Sequence, residues 1–361
     1  MTELPISPAS FFPSDSPEKL FGHLLMGRYR ITGFVGQSAS GRVYAGWDGN
    51  LKRQVAIKIP TPEAARDQEY MARFEKEAMT MARFQHENIV AIHDYCVARN
   101  ILEVNFIAME FVTGDVLTDF IEKHERDLSV KDVVELIRQL AAGIDAAHAE
   151  GVVHRDLRPV NIRVTKGRKV PKVLDFGVAK FERPPGSDVD EADAEGEQAA
   201  SFERVPFDPA HAAPEQWRRA YSTPEKLREH PVEIGPAADR YSFAVILYQI
   251  FARSYPFDCQ SVLEWGLAHR RTEPIPLRKR NRKWPPELEA ALARGLAKDP
   301  AERFPALADM VEEIEEALIG ERKRPFADFF PAEGAHIVGG LATADIESAV
   351  EHDEPDLDIE A

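Results

Sequence analysis

The feature that most constrains this chain is an eight-residue stretch, His154-Arg155-Asp156-Leu157-Arg158-Pro159-Val160-Asn161. It spaces a carboxylate, a cation and an amide so that one tight loop can direct all three at a single phosphoryl group. Phosphoryl transfer needs a carboxylate that orients the acceptor hydroxyl and takes its proton, and cations that stabilise the spread negative charge. Asp156 suits the first role, Arg158 could contact the γ-phosphate, and Asn161 offers an oxygen to Mg²⁺. Fourteen residues later, the carboxylate of Asp175 in Asp-Phe-Gly could hold the same metal ion.

The charge of the chain is concentrated in two segments. Hydrophobic residues make up 44% and charged residues 29% of the chain, which is typical of soluble globular proteins. The net charge of −16 comes from residues 182–204, with eight acidic residues against two arginines, and from residues 326–361, with ten acidic and no basic residues. Because the remainder is neutral, we expect no nucleic-acid partner.

Cysteine usage and hydropathy bear on the compartment. Cys96 and Cys259 lie far apart in different patterns, which argues against a disulfide framework and fits a reducing compartment. The N-terminus lacks a signal-peptide pattern, and no run of about 18 apolar residues could span a bilayer. We therefore expect a cytoplasmic protein with no membrane segment.

A hairpin with a glycine-bearing turn is predicted at the start of the folded region. Residues 29–35 and 43–47 alternate like strands, and between them lies Gly36-Gln37-Ser38-Ala39-Ser40-Gly41. Glycines allow a backbone to pass close over phosphates and to turn N–H groups toward them. Taken alone, this hairpin would be only a tight turn. The preceding residues 1–26 carry several prolines among serines, which predicts a flexible N-terminal arm.

The next predicted strand, residues 54–59, has a lysine in its apolar run. A buried lysine needs an anionic partner, which the phosphates of ATP and a helix carboxylate would together provide for Lys58. The helix predicted over residues 69–84 offers Glu77, with Glu75 as a competitor about 200° round the helix. The simpler alternatives are a lysine at a sheet edge and a glutamate on a solvated helix face.

The second half of the chain has the pattern of a helical region. Residues 129–149 place apolar side chains on one helix face, with Ser129 as the predicted N-cap. We interpret His148 within this helix as a packing residue rather than a catalytic one. Residues 182–204 are rich in Pro, Gly, Asp and Glu, which predicts a mobile segment. The basic run 278–283 is either a solvated loop or a dock for an acidic substrate or for the chain's own acidic tail.

In this order and spacing, the motifs resemble those of protein kinases. The resemblance covers about residues 28–318 and includes Ala213-Pro214-Glu215 in addition to the His-Arg-Asp and Asp-Phe-Gly sequences. It is closest to the bacterial Hanks-type (eukaryotic-like) serine/threonine kinases, to whose ending residues 296–304 are especially similar. The resemblance implies a buried ion pair between Glu215 and Arg303, and an Asp239 side chain that braces the catalytic-loop backbone.

The fold implied by the resemblance is α+β and two-lobed, like that of the protein kinases. A small lobe over about 27–112 would hold a twisted antiparallel sheet and one helix. A large, mostly helical lobe over about 113–318 would complete the kinase domain, residues 27–318. Residues 319–361 would form an acidic C-terminal tail, with Phe326, Phe329 and Phe330 as exceptions that could pack on the large lobe.

The resemblance also implies roles for individual residues. Asp156 would be the catalytic base, assisted by Lys58, Glu77 and Arg158. Mg²⁺ would be held by Asn161 and Asp175. Met109 would be the gatekeeper behind the adenine, with main-chain hydrogen bonds to the purine at Glu110 and Val112. The residues expected to bind ATP are Gly36, Ser38, Gly41, Val43, Ala56, Lys58, Met109, Glu110 and Val112.

Three positions depart from the pattern of that family. Ser38 stands at the middle glycine of the glycine-rich loop, and Asp208 stands where a threonine usually contacts the catalytic aspartate. Arg158 stands at a position where some tyrosine kinases also carry an arginine, whereas the following Pro159 resembles the serine/threonine pattern. The departures bear on nucleotide closure, substrate docking and the choice of acceptor hydroxyl.

The function implied by the resemblance is transfer of the γ-phosphoryl group of Mg-ATP to serine or threonine hydroxyls of protein substrates, as a signalling kinase. One alternative is a pseudokinase scaffold that binds nucleotide or partner proteins without efficient transfer. Another is a small-molecule kinase, although those enzymes lack the segment Ala213-Pro214-Glu215 and its Arg303 partner.

Overall fold

The computed structural model describes residues 17–37, 41–97, 105–176, 207–222 and 224–331. They divide into two units. The strand unit comprises residues up to 83 together with 91–111, and the helical unit comprises 84–90 and the residues from 112 onward. The segment 182–204, predicted to be mobile, lies outside the described residues.

The strand unit is built on one antiparallel sheet with the strand order β1-β2-β3-β4-β6-β5. Its elements are, in chain order, β1 (Leu24–Leu25), β2 (Tyr29–Gln37), β3 (Gly41–Asp48), β4 (Arg53–Pro60), α1 (Pro62–Arg66), α2 (Gln68–Arg83), β5 (Ile92–Val97) and β6 (Asn105–Glu110). Apolar side chains that alternate along these strands fill a common core. It contains Ile31, Tyr44, Val55, Ile57, Ile59 and Phe106, each fully buried. The strands predicted around the glycine-bearing turn and around Lys58 are confirmed.

The N-terminal arm predicted for residues 1–26 is too long. Residues Pro17–Leu20 form one 3₁₀ turn, and Leu25 pairs with Tyr29 as part of β1. Leu20 and Leu25 are buried in the sheet core. The sequence pattern misled because these two apolar residues are spaced irregularly after a proline-rich leader. Residues 1–16 lie outside the described residues.

The helix α2 matches the helix predicted over residues 69–84 to within one residue at each end. Asp67 caps it, because its Oδ1 accepts a hydrogen bond from the N–H of Tyr70 at 3.0 Å. Phe74, Ala78 and Met81 are buried on one face, at the spacing that brings residues onto the same side of a helix.

The helical unit contains a small sheet and most of the helices. Its elements are β7 (Gly114–Val116), α3 (Leu117–Lys123), α4 (Val130–Ala149), β8 (Ile162–Thr165), β9 (Pro171–Val173), α5 (Pro214–Ala220), α6 (Pro224–Glu229), α7 (Pro236–Ala252), α8 (Val262–Arg271), α9 (Leu277–Arg280), α10 (Pro286–Gly295) and α11 (Leu307–Ala317). The N-cap predicted at Ser129 is confirmed: Ser129 and Asp132 form a capping box at the start of α4. Among the described residues, no helix is both long and apolar enough to cross a bilayer.

The C-terminal tail predicted from residue 319 begins too early. Residues 322–330, which we call the C-terminal strap, pack on the helical unit through Phe326, Phe329 and Phe330, all buried. The ring of Phe329 stacks on Trp284 with centroids 3.8 Å apart. The strap also pairs its backbone with the segment before α4, since the N–H of Phe326 donates to the carbonyl of Leu128 at 2.8 Å. Residues 332–361 lie outside the described residues.

The basic run 278–283 contacts this strap. The Nδ2 of Asn281 donates to the carbonyl of Phe329 at 3.0 Å, and Nζ of Lys283 donates to the carbonyl of Asp328 at 2.7 Å. Of the alternatives left open for this run, the structure agrees best with a dock for the chain's own C-terminal segment. The contacts are to backbone oxygens rather than to acidic side chains.

Candidate active site

A single carboxylate fixes the backbone of the loop that the sequence predicts to be catalytic. Asp239, fully buried in the first turn of α7, accepts hydrogen bonds from the N–H groups of His154 and Arg155, each at 2.7 Å. Its Oδ2 also accepts a hydrogen bond from Nε2 of His148 at 2.8 Å. Burial alone would raise the pKa of Asp239, but these donors hold that pKa below its ordinary value. The bracing role predicted for Asp239 is confirmed.

His148 is the residue that the sequence reasoning missed. Its place on the core face of α4, one turn after Ile144, suggested a packing residue. The structure shows instead that its Nε2 donates to Oδ2 of Asp239, the same oxygen that accepts the N–H of His154. A polar side chain at a core position of a helix was the only signal available in the sequence.

The loop reaches Asp239 through an unusual backbone conformation at Arg155. The φ angle of this residue is +63°, in the left-handed region that a non-glycine side chain adopts at a cost of about 1–3 kcal/mol. The carbonyl of Arg155 accepts a hydrogen bond from Nε2 of Gln216 at 2.9 Å. Asp175 has a second positive φ, +51°. Such angles persist where surrounding hydrogen bonds hold them, and here they orient the two carboxylates of interest.

The imidazole of His154 joins the catalytic loop to the segment that carries Asp175. Its Nε2–H donates to the carbonyl of Leu174 at 2.9 Å, while its Nδ1 accepts the N–H of Asp156 at 3.2 Å. The ring also packs on Phe176, with centroids 4.8 Å apart. Complete burial lowers the pKa of His154, so the imidazole stays neutral and keeps one donor and one acceptor nitrogen. His154 is therefore a link between two parts of the site.

Asn161 orients the carboxylate of Asp156. Its Nδ2 donates to the backbone carbonyl of Asp156 at 2.8 Å and to Oδ2 of the same residue at 3.2 Å. The N–H of Leu174 donates to the carbonyl of Asn161 at 2.8 Å. These bonds bring Asp156, Asn161 and the residue before Asp175 together in the helical unit, as the sequence predicts.

The oxygen ligands of this loop fit a magnesium ion. Mg²⁺ prefers hard oxygen donors and usually takes only one or two carboxylates, with water and phosphate oxygens completing its shell. Within the described part of the chain, no three His, Cys, Asp or Glu side chains cluster as metal ligands. One amide oxygen, from Asn161, and one carboxylate, from Asp175, would make a donor set of the kind that binds Mg²⁺ together with phosphate oxygens.

The strand unit carries the other predicted residues. Lys58 is 2% exposed on β4, which excludes the alternative of a lysine at a solvated sheet edge. Ala56 and Met109 are opposite each other on β4 and β6, and Val43 is half-buried on β3. The amide of Glu110 donates to the carbonyl of Ala91 at 2.8 Å, so a purine contact at Glu110 would use its carbonyl oxygen.

The two predicted loop glycines differ in their surroundings. A Cβ at Gly41 would lie 2.9 Å from the carbonyl oxygen of Ile59, whereas a Cβ at Gly36 would meet nothing within 4 Å. Only Gly41 is therefore required by close backbone approach. Ser38 lies outside the described residues, as does the side chain of Glu77, whose backbone is part of α2. Val112 is half-buried at the start of the helical unit.

The predicted ion pair between Glu215 and Arg303 is confirmed. The two side chains are 5% and 0% exposed and form a fork-to-fork pair, with Nη1–Oε1 at 2.8 Å and Nη2–Oε2 at 2.9 Å. The same guanidinium donates to the carbonyls of Ala237 and Ala297. The pair holds the start of α5 against α7 and the segment before α11.

A second ion pair joins two of the three departures from the family pattern. Nη1 of Arg158 lies 3.0 Å from Oδ2 of Asp208. The other oxygen, Oδ1, accepts hydrogen bonds from the N–H of Ala210 and from Nδ1 of His211, each at 2.9 Å. The two positions are fifty residues apart in the sequence, and the fold brings them into contact.

The chain is similar in sequence to known protein kinases. The family described as "Protein kinase domain" matches residues 29–313. Serine/threonine-protein kinase pkn3 of Myxococcus xanthus is 30% identical over 337 residues, which are 92% of this chain and 57% of that protein. A probable serine/threonine-protein kinase of Clostridium acetobutylicum is 29% identical over 82% of this chain and 40% of its own length.

Solved structures show the same fold. The kinase domain of Mycobacterium tuberculosis PknI matches with a TM-score of 0.58 at 24% identity, covering 82% of this chain and 98% of that chain. The chain spans about 40–57% of the length of the curated relatives above.

Proposed function

Because this chain belongs to the protein kinase domain family, we propose that it transfers the γ-phosphoryl group of Mg-ATP to serine or threonine hydroxyls of protein substrates. The observation that carries the proposal is the Asp156 carboxylate, held by Asn161 in a loop that Asp239 braces. Such a rigid carboxylate is what a transfer that depends on positioning requires. The names of the relatives, all serine/threonine-protein kinases, support the choice of acceptor.

The residues of the helical unit suggest how the acceptor is handled. The Asp156 carboxylate would accept a hydrogen bond from the substrate hydroxyl and take its proton as the new phosphate bond forms. Asn161 Nδ2 fixes one carboxylate oxygen and so orients the group. The donors on Arg158 would stabilise charge on the phosphoryl oxygens.

The cofactor would be ATP with magnesium. When bound, Mg²⁺ neutralises charge on the phosphate oxygens, and Asn161 and Asp175 are the residues that would hold it. Lys58 would pair with the nucleotide phosphates and with Glu77. The residues proposed for nucleotide binding are Gly36, Ser38, Gly41, Val43, Ala56, Met109, Glu110 and Val112.

No observation favours the pseudokinase alternative. Lys58, Asp156, Asn161 and Asp175 are all present, and the departures at Arg158 and Asp208 meet as an ion pair rather than as two unrelated losses. A small-molecule kinase is disfavoured by the anchored Glu215–Arg303 pair. We also propose a cytoplasmic location, from the cysteine pattern and the distribution of charge.

The proposal is tested with the purified chain, labelled ATP, Mg²⁺ and a mixed protein acceptor. Asp156→Asn should abolish transfer while Mg-ATP still binds, because the carboxylate faces the hydroxyl. Asp175→Ala should abolish transfer and weaken Mg-ATP binding, because its carboxylate faces the metal. Asp127→Asn, at an exposed position of the helical unit, is the matched control. Equal transfer by wild type and Asp156→Asn would exclude the proposed function.

A further inference from the structure

The contact between Arg158 and Asp208 connects two of the departures from the family pattern, which are fifty residues apart in the sequence. Both side chains are partly open to solvent, with 24% of Arg158 and 14% of Asp208 exposed, and their charged atoms are 3.0 Å apart. Arg158 lies two residues after Asp156, and Asp208 lies in the approach to α5. An ion pair at this place acts on the loop that carries the proposed base.

Asp208 is fixed from the side opposite Arg158. Its Oδ1 accepts from the N–H of Ala210 and from Nδ1 of His211. His211 is itself held, because its Nε2 lies 2.7 Å from Oε1 of Gln249 and its carbonyl accepts the hydroxyl of Ser242 at 2.7 Å. Burial alone would raise the pKa of Asp208, but His211 and Arg158 hold that pKa below its usual range. The carboxylate is therefore a charged and immobile partner for the guanidinium.

Arg158 retains donors that Asp208 does not use. A guanidinium has five N–H donors in a rigid fork, and its Nη1 lies 3.0 Å from Oδ2 of Asp208. Its Nε is buried and has no hydrogen-bond partner among the residues that the structure describes. A free arginine side chain has about 2 kcal/mol of rotamer entropy to lose on binding. A carboxylate that restrains the guanidinium beforehand removes part of that cost.

We propose that Asp208 is a positioning residue that holds the Arg158 guanidinium against the transferring phosphoryl group, so that the two substitutions act as one matched pair. The inference rests on the proposed function and adds to it a residue pair on which transfer depends. In this arrangement Arg158 supplies the contact to the phosphoryl oxygens, and Asp208 acts only through Arg158.

The test is a double-mutant cycle in the full chain, with labelled ATP and casein as the acceptor. Arg158→Lys keeps the charge but loses the guanidinium fork, and Asp208→Thr places the residue type usual in the family; each should lower kcat about tenfold or more, or ~1.4 kcal/mol. In the double variant the two losses should not add: because either change alone already breaks the pair, kcat should stay within about threefold of that of the lower single variant. Asp208→Asn, which keeps the side-chain volume, should also lower kcat when it is assayed at a temperature at which circular dichroism shows both proteins to be fully folded.

A matched control is available on the surface of the same unit. Arg280 and Asp258 form an exposed ion pair, and Arg280→Lys with Asp258→Thr should leave kcat unchanged. If the effects of Arg158→Lys and Asp208→Thr simply add in the double variant, or if Asp208→Asn retains wild-type kcat, the matched-pair inference is overturned.

A binding measurement separates this inference from the proposed function. The affinities of Mg-ATP and Mg-ADP are measured by calorimetry for the wild type and Asp208→Asn. A restrained Arg158 should favour ATP over ADP, and Asp208→Asn should reduce that preference at least threefold. If the wild type transfers no label but Asp208→Asn still reduces the preference for ATP over ADP, the proposed function is refuted and the contact of the pair with the terminal phosphate is supported. If the wild type transfers label and Asp208→Asn has the same kcat and the same ATP preference, only the inference about the pair is refuted.

Discussion

Two arginine–carboxylate pairs in the helical unit share their chemistry and differ in their surroundings. Arg303 and Glu215 are almost completely enclosed and make two parallel hydrogen bonds, and Arg303 also reaches backbone carbonyls. Arg158 and Asp208 form an ion pair that stays partly open. No ligand can reach the enclosed pair, so its contribution is to stability. The open pair leaves part of its guanidinium accessible to a ligand, and for this pair we propose a role in function. Enclosure, rather than residue type, separates the two roles.

The largest expected effect is on the enclosed pair. Arg303→Met should lower the free energy of unfolding by about 3–5 kcal/mol, because it leaves the Glu215 carboxylate buried without its cation. Arg168→Met is the matched control: its pair with Glu87 is exposed, at 86% and 65%, and should contribute less than about 1 kcal/mol. Both values come from denaturant unfolding followed by circular dichroism. Similar losses in the two variants would remove the contrast between enclosed and open pairs.

The comparison of enclosed with open contacts can be made for apolar side chains as well, in the C-terminal strap. Ending the chain after Gly320 removes three buried phenylalanines and uncovers Trp284, and should cost about 2–4 kcal/mol of unfolding free energy. Ending it after Pro331 should cost little, since residues 332–361 are strongly acidic and lack a sustained apolar period. Thermal and denaturant unfolding of the two truncated proteins measure the difference. Equal stability would mean that the strap's enclosed rings do not support the helical unit.

The smallest expected effect concerns Lys298, a largely buried cation for which no salt bridge is found among the described residues. Among the described residues, Nζ of Lys298 donates to the carbonyl of Ala268 at 3.0 Å and lies 4.5 Å from the ring centroid of Phe257. Burial lowers the pKa of Lys298 from 10.5 to about 8. Between these values the unfolded chain binds more protons than the native protein, so unfolding free energy should rise with pH.

The size of that rise is reduced by solvent screening at a partly exposed side chain, to about 1–2 kcal/mol. Unfolding free energies of wild type and Lys298→Met, measured from pH 8 to 10.5, isolate the lysine because other titrating groups are common to both. The wild-type value should gain on that of the variant as pH rises. Parallel curves would show that Lys298 keeps its ordinary pKa.

The parts of the site that the sequence predicted are those fixed by local spacing. Asp156 and Asn161 lie within one loop, and their contact follows from that spacing. Ser129 caps α4, and this was predictable because the two members of the capping box are only three positions apart. Even the long-range Glu215–Arg303 pair was predictable, because both residues lie in motifs that the family resemblance already placed.

The contacts that were not predicted join residues that are distant in the sequence, and no repeating sequence pattern indicates them. Arg158 and Asp208 were treated as separate departures because they are fifty residues apart and no local pattern indicates an ion pair between them. The strap's phenylalanines occupy a single 3₁₀ turn and the residue after it, a segment too short to give a sustained apolar period, so the acidic residues after them dominated the pattern. His148 was hidden for a similar reason, since its partner Asp239 is 91 residues away.

Because of the hydrogen bonds to Asp239, formation of the loop around Asp156 depends on the folding of the helical unit. The amides of His154 and Arg155 are protected only after α7 has brought the carboxylate to them across more than 80 residues of chain. Deuterium should therefore replace these two amide protons only when the helical unit opens as a whole, not through local fraying. The catalytic loop has no independent stability, and it is lost at the moment that its unit unfolds.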